Sequence, residues 1–118
     1  MTLTVYGIKN CNTVKSALTW LKDHKIAFEF HDFKSKGISE DKLQAWSEQI
    51  GWERLVNKRG MTWRQLPPAM QSKVKDQSSA ISLMKEKTSV IKRPVIENGA
   101  RVVTVGFDSV NFEDNYRK

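Results

Sequence analysis

The stretch Leu3-Thr4-Val5-Tyr6-Gly7-Ile8-Lys9-Asn10-Cys11-Asn12-Thr13-Val14-Lys15-Ser16-Ala17-Leu18-Thr19-Trp20-Leu21 decides how this chain folds. Leu3 to Tyr6 alternate and are β-rich, the signature of a short strand. Gly7 to Asn10 make a loop. Val14, Ala17, Leu18 and Leu21 then recur at i, i+3, i+4 and i+7, one apolar face of a helix from about Asn12 to Asp23. Next, Ile26-Ala27-Phe28-Glu29-Phe30-His31-Asp32-Phe33 alternates in part and reads as a second strand. A β-loop-α-β order normally builds a parallel pair with a right-handed crossover.

The far end supplies the rest of the sheet. Val95-Ile96-Glu97 and Arg101-Val102-Val103-Thr104-Val105 flank Asn98-Gly99. Asn-Gly between β-rich runs predicts a type I′ hairpin, which needs positive φ at both turn residues. Asp108 is placed to cap a last helix with Val110 and Phe112 facing inward. Between these ends the pattern is helical. Ser39 can cap a helix with Glu40 and Asp41 in its first turn and Leu43, Trp46 and Ile50 on its inner face. Gly51 to Ser89 carry no strand signal. Pro67-Pro68 can start a short helix, and Ser78 or Ser79 can cap another bearing Ile81, Leu83 and Met84. The expected architecture is α/β: a mixed sheet with helices on both faces and an all-helical insertion over about 39–89. The flanking core is expected over about 1–36 and 90–118.

Composition sets the outer limits. The chain has 118 residues, 20 Lys+Arg against 13 Asp+Glu, and one Cys. That length predicts one domain, at roughly 100–200 residues each. It can bury about two-thirds of its unfolded surface without a disulfide or structural metal. A single Cys excludes an internal disulfide and a Cys-based zinc site. No apolar run approaches the roughly 20 residues of a membrane span, and Met1 to Tyr6 lack the basic region of a signal peptide. A soluble, cytoplasmic monomer is the expectation. The formal charge of +7 suits anionic partners. Acids are interspersed, however, and no block of about five or six like charges occurs, so direct nucleic-acid binding is not expected.

The chemistry centres on Cys11. It lies between the first strand and the first helix, where backbone N–H groups and the helix dipole favour a thiolate. Lys9 and Lys15 flank it. A free Cys is often a buried, inert hydrophobe, but this position is where a reactive one belongs. Val14 stands where a Cys-x-x-Cys motif would place its second thiol, so any redox cycle must borrow a thiol from outside, glutathione or a protein dithiol. His24 and His31 have no partner at ligand spacing, and no metal site is expected. Trp20, Trp46, Trp52 and Trp63 read as packing residues. Gly60, Trp63 and Arg64 suit a site wall or a structural loop equally. In Ile91-Lys92-Arg93-Pro94-Val95, a Pro just before a strand can be cis. The pattern alone favours trans, since cis is only about 5–6% of X-Pro bonds.

The segments Tyr6-Gly7-Ile8-Lys9-Asn10-Cys11, Val56-Asn57-Lys58-Arg59-Gly60-Met61-Thr62-Trp63-Arg64, Ile91-Lys92-Arg93-Pro94-Val95 and Val105-Gly106-Phe107 together resemble the arsenate reductase (ArsC)/Spx family, in its YffB-like branch of small single-cysteine proteins. The resemblance spans essentially the whole chain. It implies a thioredoxin-like (glutaredoxin-like) fold, a nucleophilic thiol at Cys11, an Arg beside it at Arg93, and a cis Pro94 across from it. It also implies glutathione as co-substrate, with no resident cofactor. Asn10, Lys9, Lys15, Lys58, Arg59, Lys92 and Pro94 are then expected to line the glutathione site.

Arsenate reductases of the family hold the oxyanion with three arginines, and only Arg93 maps cleanly. The insertion arginine falls at or near Asn57, with Lys58 and Arg59 as candidate substitutes. The one after the hairpin falls near Thr104 to Gly106, where none exists. The Ser-Arg after the arsenate reductase cysteine is Val14-Lys15. Lys does not replace the forked donors of Arg, so arsenate is expected to be a poor substrate or none. The resemblance therefore implies a glutathione-dependent thiol oxidoreductase acting through a mixed disulfide at Cys11. The alternatives it carries are a true arsenate reductase and an Spx-like regulator binding RNA polymerase through its α-subunit. Spx itself uses a Cys-x-x-Cys switch, which Val14 removes here.

Overall fold

The computed structural model describes residues 2–117. In chain order the elements are β1 (Leu3–Gly7), α1 (Asn12–Asp23), β2 (Phe28–Asp32), α2 (Phe33–Lys36), α3 (Glu40–Ile50), α4 (Trp52–Leu55) and α5 (Met61–Arg64). Then follow α6 (Pro68–Lys73), α7 (Gln77–Glu86), a 3-10 turn (Thr88–Val90), β3 (Val95–Asn98), β4 (Arg101–Val105) and α8 (Ser109–Tyr116). Two compact units result. One runs to Lys36 and resumes at Arg93; the other is Gly37–Lys92.

The first unit holds a four-stranded mixed sheet in the order β2-β1-β3-β4. β1 pairs parallel with β2 and antiparallel with β3, and β3 pairs antiparallel with β4. The sequence expectation of a parallel pair and a hairpin is met. The apolar stripe of α1 works as its spacing predicts: Val14, Ala17 and Leu21 are fully buried. Ala17 and Leu21 join Leu3, Val5, Ile96, Phe112 and Tyr116 in one core cluster. α1 and α8 therefore press on the same face of β1 and β3. Trp20 closes the cluster edge-on to Phe112 at 5.3 Å. Tyr6 and Val95, on the opposite face by strand alternation, are buried as well, so the two central strands are covered on both sides.

Several details depart from the sequence reading. The second strand is shorter than Ile26 to Phe33. Asp32 turns its carboxylate onto the N–H of Lys34 at 2.9 Å, which starts α2 and puts Phe33 in a helix. The hairpin turns one residue later than expected. Asn98 pairs with Arg101, leaving Gly99-Ala100 as the loop. Only Gly99 has positive φ, 64°, which fits a type II′ turn with Gly at its first central position. Val110 is 69% exposed. It lies two residues from Phe112, about 200° around the helix, and the inward pair is Phe112 and Tyr116 instead.

The second unit is helical, with one isolated antiparallel bridge between Val56 and Ile91 that no strand signal announced. Ser39 caps α3 as predicted, accepting from the N–H of Lys42. Leu43 and Trp46 are buried, while Ile50 is only half-buried and Ser47 takes an inner place. The Ser47 hydroxyl donates to the Leu43 carbonyl at 2.8 Å, which is how a polar group is accommodated there. The cap of α7 is Asp76, not Ser78 or Ser79. Asp76 accepts from the Ser79 N–H, and the Ser79 hydroxyl answers the Asp76 N–H, a reciprocal capping box.

Candidate active site

Cys11 is the N-cap of α1, with extended backbone (φ −120°, ψ 121°) that turns the chain from the loop into the helix. Its carbonyl accepts from the Lys15 N–H at 2.9 Å, the first bond of the helix. The side chain is half-buried. Partial burial pushes the thiol pKa up. That is outweighed by the Val14 N–H, by a hydrogen bond and the positive charge from Arg93, and by the Thr13 N–H, so the net shift is downward. The sulfur does not close a capping bond of ordinary geometry. The N–H groups nonetheless face it, and they are the donors that a helix start leaves unsatisfied. The first turn of α1 is thus a cradle for negative sulfur.

Arg93 is placed by the chain around Pro94. The Arg93–Pro94 peptide bond is cis, as the family resemblance implied and the bare pattern did not. The Pro94 carbonyl accepts from the Gly106 N–H at 2.8 Å, and Gly106 sits at φ 83°. That bond ties the start of β3 to the segment after β4. It gives a structural reason for Val105-Gly106-Phe107, to which the sequence alone assigns no role. Arg93 is half-buried and Pro94 buried, whereas Lys9, Asn10 and Lys15 are exposed around the Cys11 turn.

The remaining predicted site residues belong to the other unit. Lys58 and Arg59 are exposed on a tight loop in which the Asn57 side-chain oxygen accepts from the Arg59 N–H at 3.2 Å. The Lys58 ammonium lies 5.4 Å from the centre of the Trp63 ring, a cation–π contact. Gly60 follows in the same loop, where a Cβ would crowd the end of the Asn57 side chain, Nδ2 at 2.9 Å. Lys92 is exposed, and its N–H donates to the Leu55 carbonyl at 2.7 Å. Gly7 carries no signal in the sequence, yet a Cβ on it would meet the Val14 methyls at 2.9 and 3.2 Å.

Among the described residues no group of three or more His, Cys, Asp or Glu is arranged to hold a metal ion, and no helix is long and apolar enough to cross a membrane.

Residues 6–115 match the ArsC family. A solved structure of a protein called YFFB is 42% identical, with a TM-score of 0.88 over 96% of this chain and 97% of that one. The solution structure of an arsenate reductase (ArsC) related protein from Brucella melitensis is also 42% identical, with a TM-score of 0.79 over 100% of this chain and 96% of that one. The global transcriptional regulator Spx of Streptococcus agalactiae is 28% identical over 108 residues, 90% of this chain and 77% of that protein. The mixed sheet and its helices are the thioredoxin-like fold that these neighbours share. The chain belongs to the ArsC family.

Proposed function

We propose that the protein is a glutathione-dependent thiol oxidoreductase with Cys11 as its nucleophile. The observation that carries this reading is the environment of one sulfur: Cys11 caps α1 with the Thr13 and Val14 N–H groups and Arg93 acting on it, and its pKa is lowered. Thiolates, not thiols, attack disulfide sulfur. In the first step the Cys11 thiolate attacks the glutathione sulfur of a mixed disulfide. A new S–S bond forms, the old one breaks, and the partner leaves as its thiolate. In the second step a glutathione thiolate attacks the glutathione sulfur on Cys11. Oxidised glutathione departs and the Cys11 thiolate is restored.

The chain has no second Cys to intercept the adduct, which makes an external thiol the resolving agent. A lowered pKa makes Cys11 a good leaving group in the second step. In this reading Lys92 and Arg93 take the glutathione carboxylates. Lys9, Asn10 and Lys15, exposed around the Cys11 turn, supply further polar and basic contacts. The backbone before Pro94 pairs with the tripeptide as an added strand. A cytoplasmic setting, rich in glutathione, goes with it.

The test is turnover of a small mixed disulfide of glutathione, coupled to glutathione reductase and NADPH. Wild type is expected to consume NADPH and Cys11→Ser is not. A folded wild type with a reduced thiol and no turnover would refute the reading. The Spx relatives support a second reading, a module that binds RNA polymerase through its α-subunit. Saturable binding to the isolated C-terminal domain of the polymerase α-subunit, undiminished in Cys11→Ser, would favour it.

A further inference from the structure

We propose that Gly7 and Val14 form a paired spacer that sets how closely the first turn of α1 sits against β1, and thereby aims the Thr13 and Val14 N–H groups at the Cys11 sulfur. The inference rests on the reading of Cys11 as a working thiolate, but not on glutathione. Gly7 ends β1 and Val14 is in the first turn of α1. Val14 is fully buried, and its methyl groups occupy the space a Gly7 side chain would need: Cγ2 at 2.9 Å and Cγ1 at 3.2 Å from a Cβ there. Phe30 Cε1 stands behind them at 3.5 Å.

A Cβ contact under 3.0 Å cannot be kept. Val14 has little freedom to yield, since a β-branched side chain in a helix holds one strongly preferred χ1. The displacement must fall on the backbone of the turn. That backbone carries the two N–H groups that act on Cys11, and hydrogen bonds weaken steeply when misdirected. Gly7 and Val14 touch no substrate in this proposal; they are positioning residues. The charged group acting on the sulfur from the neighbouring segment is Arg93, which neither substitution touches.

The experiment is the pH–rate profile of Cys11 with the aromatic disulfide 5,5′-dithiobis(2-nitrobenzoate). It is run on folded wild type, Gly7→Ala, Val14→Ala and the double variant, with far-UV circular dichroism confirming the fold of each. Gly7→Ala is expected to react about three- to tenfold more slowly below the profile midpoint, the size of one weakened bond to a charged group. Val14→Ala, which removes the brace, is expected to slow it less. The double variant should be faster than either single one, because the small residue at 14 makes room for the Cβ at 7. That sign of non-additivity is what a merely structural role would not produce. If Gly7→Ala does not fold, the order of wild type, double variant and Val14→Ala still decides. Singles that match wild type, or a double variant slower than both, would overturn the spacer while leaving the thiolate reading intact. A wild-type midpoint at the ordinary thiol value would overturn both.

Discussion

Replacing Arg93 by Ala removes a side chain whose hydrogen bond and positive charge both favour the Cys11 thiolate. A hydrogen bond to a charged group contributes about 1.5–3 kcal/mol. Cys11 is only half-buried, so solvent screening brings the expectation down to about 1 kcal/mol. Well below the thiol's midpoint, that energy corresponds to about fivefold less thiolate. The assay is the rate of carbamidomethylation by iodoacetamide, a neutral electrophile, measured across pH. Arg93→Ala is expected to react about fivefold more slowly on the acid side. Arg93→Lys should lie between, since it keeps the charge and loses the fork. On the alkaline side the curves should meet or cross slightly, because a less stabilised thiolate is more nucleophilic. The Thr13 and Val14 N–H groups persist in every variant, so Arg93→Ala should not abolish reactivity. A folded Arg93→Ala with an unchanged acid limb would refute the pairing of Arg93 with Cys11.

Other consequences can be measured on the same variants. The Cys11 pKa is lowered on folding, so its contribution to stability is present above the ordinary thiol value and is lost as pH falls through the lowered one. The urea midpoint of wild type, relative to Cys11→Ser, should therefore rise with pH from the lowered value up to the ordinary thiol value of 9.0. Tyr116 hydrogen-bonds Thr104 Oγ1 at 2.5 Å in the core. Tyr116→Phe should destabilise by about 1–2 kcal/mol in chemical denaturation, because it strips a buried hydroxyl of its partner. Burial raises Tyr116 to about 12, against the opposing effects of Thr104 and Arg101. Its contribution is thus full below the ordinary value of 10.0 and lost as pH rises through about 12, and Tyr116→Phe should flatten that alkaline loss. Arsenate with glutathione should give little or no arsenite, since only Arg93 of the three expected arginines maps cleanly and Lys58 does not replace a forked donor; robust turnover would show that Lys58, Arg59 or another group takes their place.

The parts of the fold legible in the sequence were those with strong periodic signals. Val14, Ala17 and Leu21 marked the buried face of α1, and Ser39 and Asp108 marked two helix starts correctly. What stayed hidden depended on partners distant in the chain or on the choice between similar local bonds. Asp76 rather than Ser79 caps α7 because each answers the other, and the pattern alone does not say which leads. The Gly99-Ala100 turn displaced Asn98-Gly99 because pairing of Asn98 with Arg101 set the register. At the candidate site, the place of Cys11 just ahead of a helix was legible. The cis bond at Pro94 came only through the family resemblance. The hold of Gly106 on Pro94 and the fit of Gly7 to Val14 join segments that meet only after folding.

The central claim is that Cys11 exchanges reversibly with glutathione, and intact-mass spectrometry under oxidised glutathione tests it most directly. Wild type should gain the mass of one glutathionyl group, lose it again on adding reduced glutathione, and gain it more slowly as Arg93→Ala. Cys11→Ser should gain nothing. A native wild type that stays unmodified, beside a denatured sample that reacts readily, would contradict the account: Cys11 would be sheltered in the fold rather than poised for exchange.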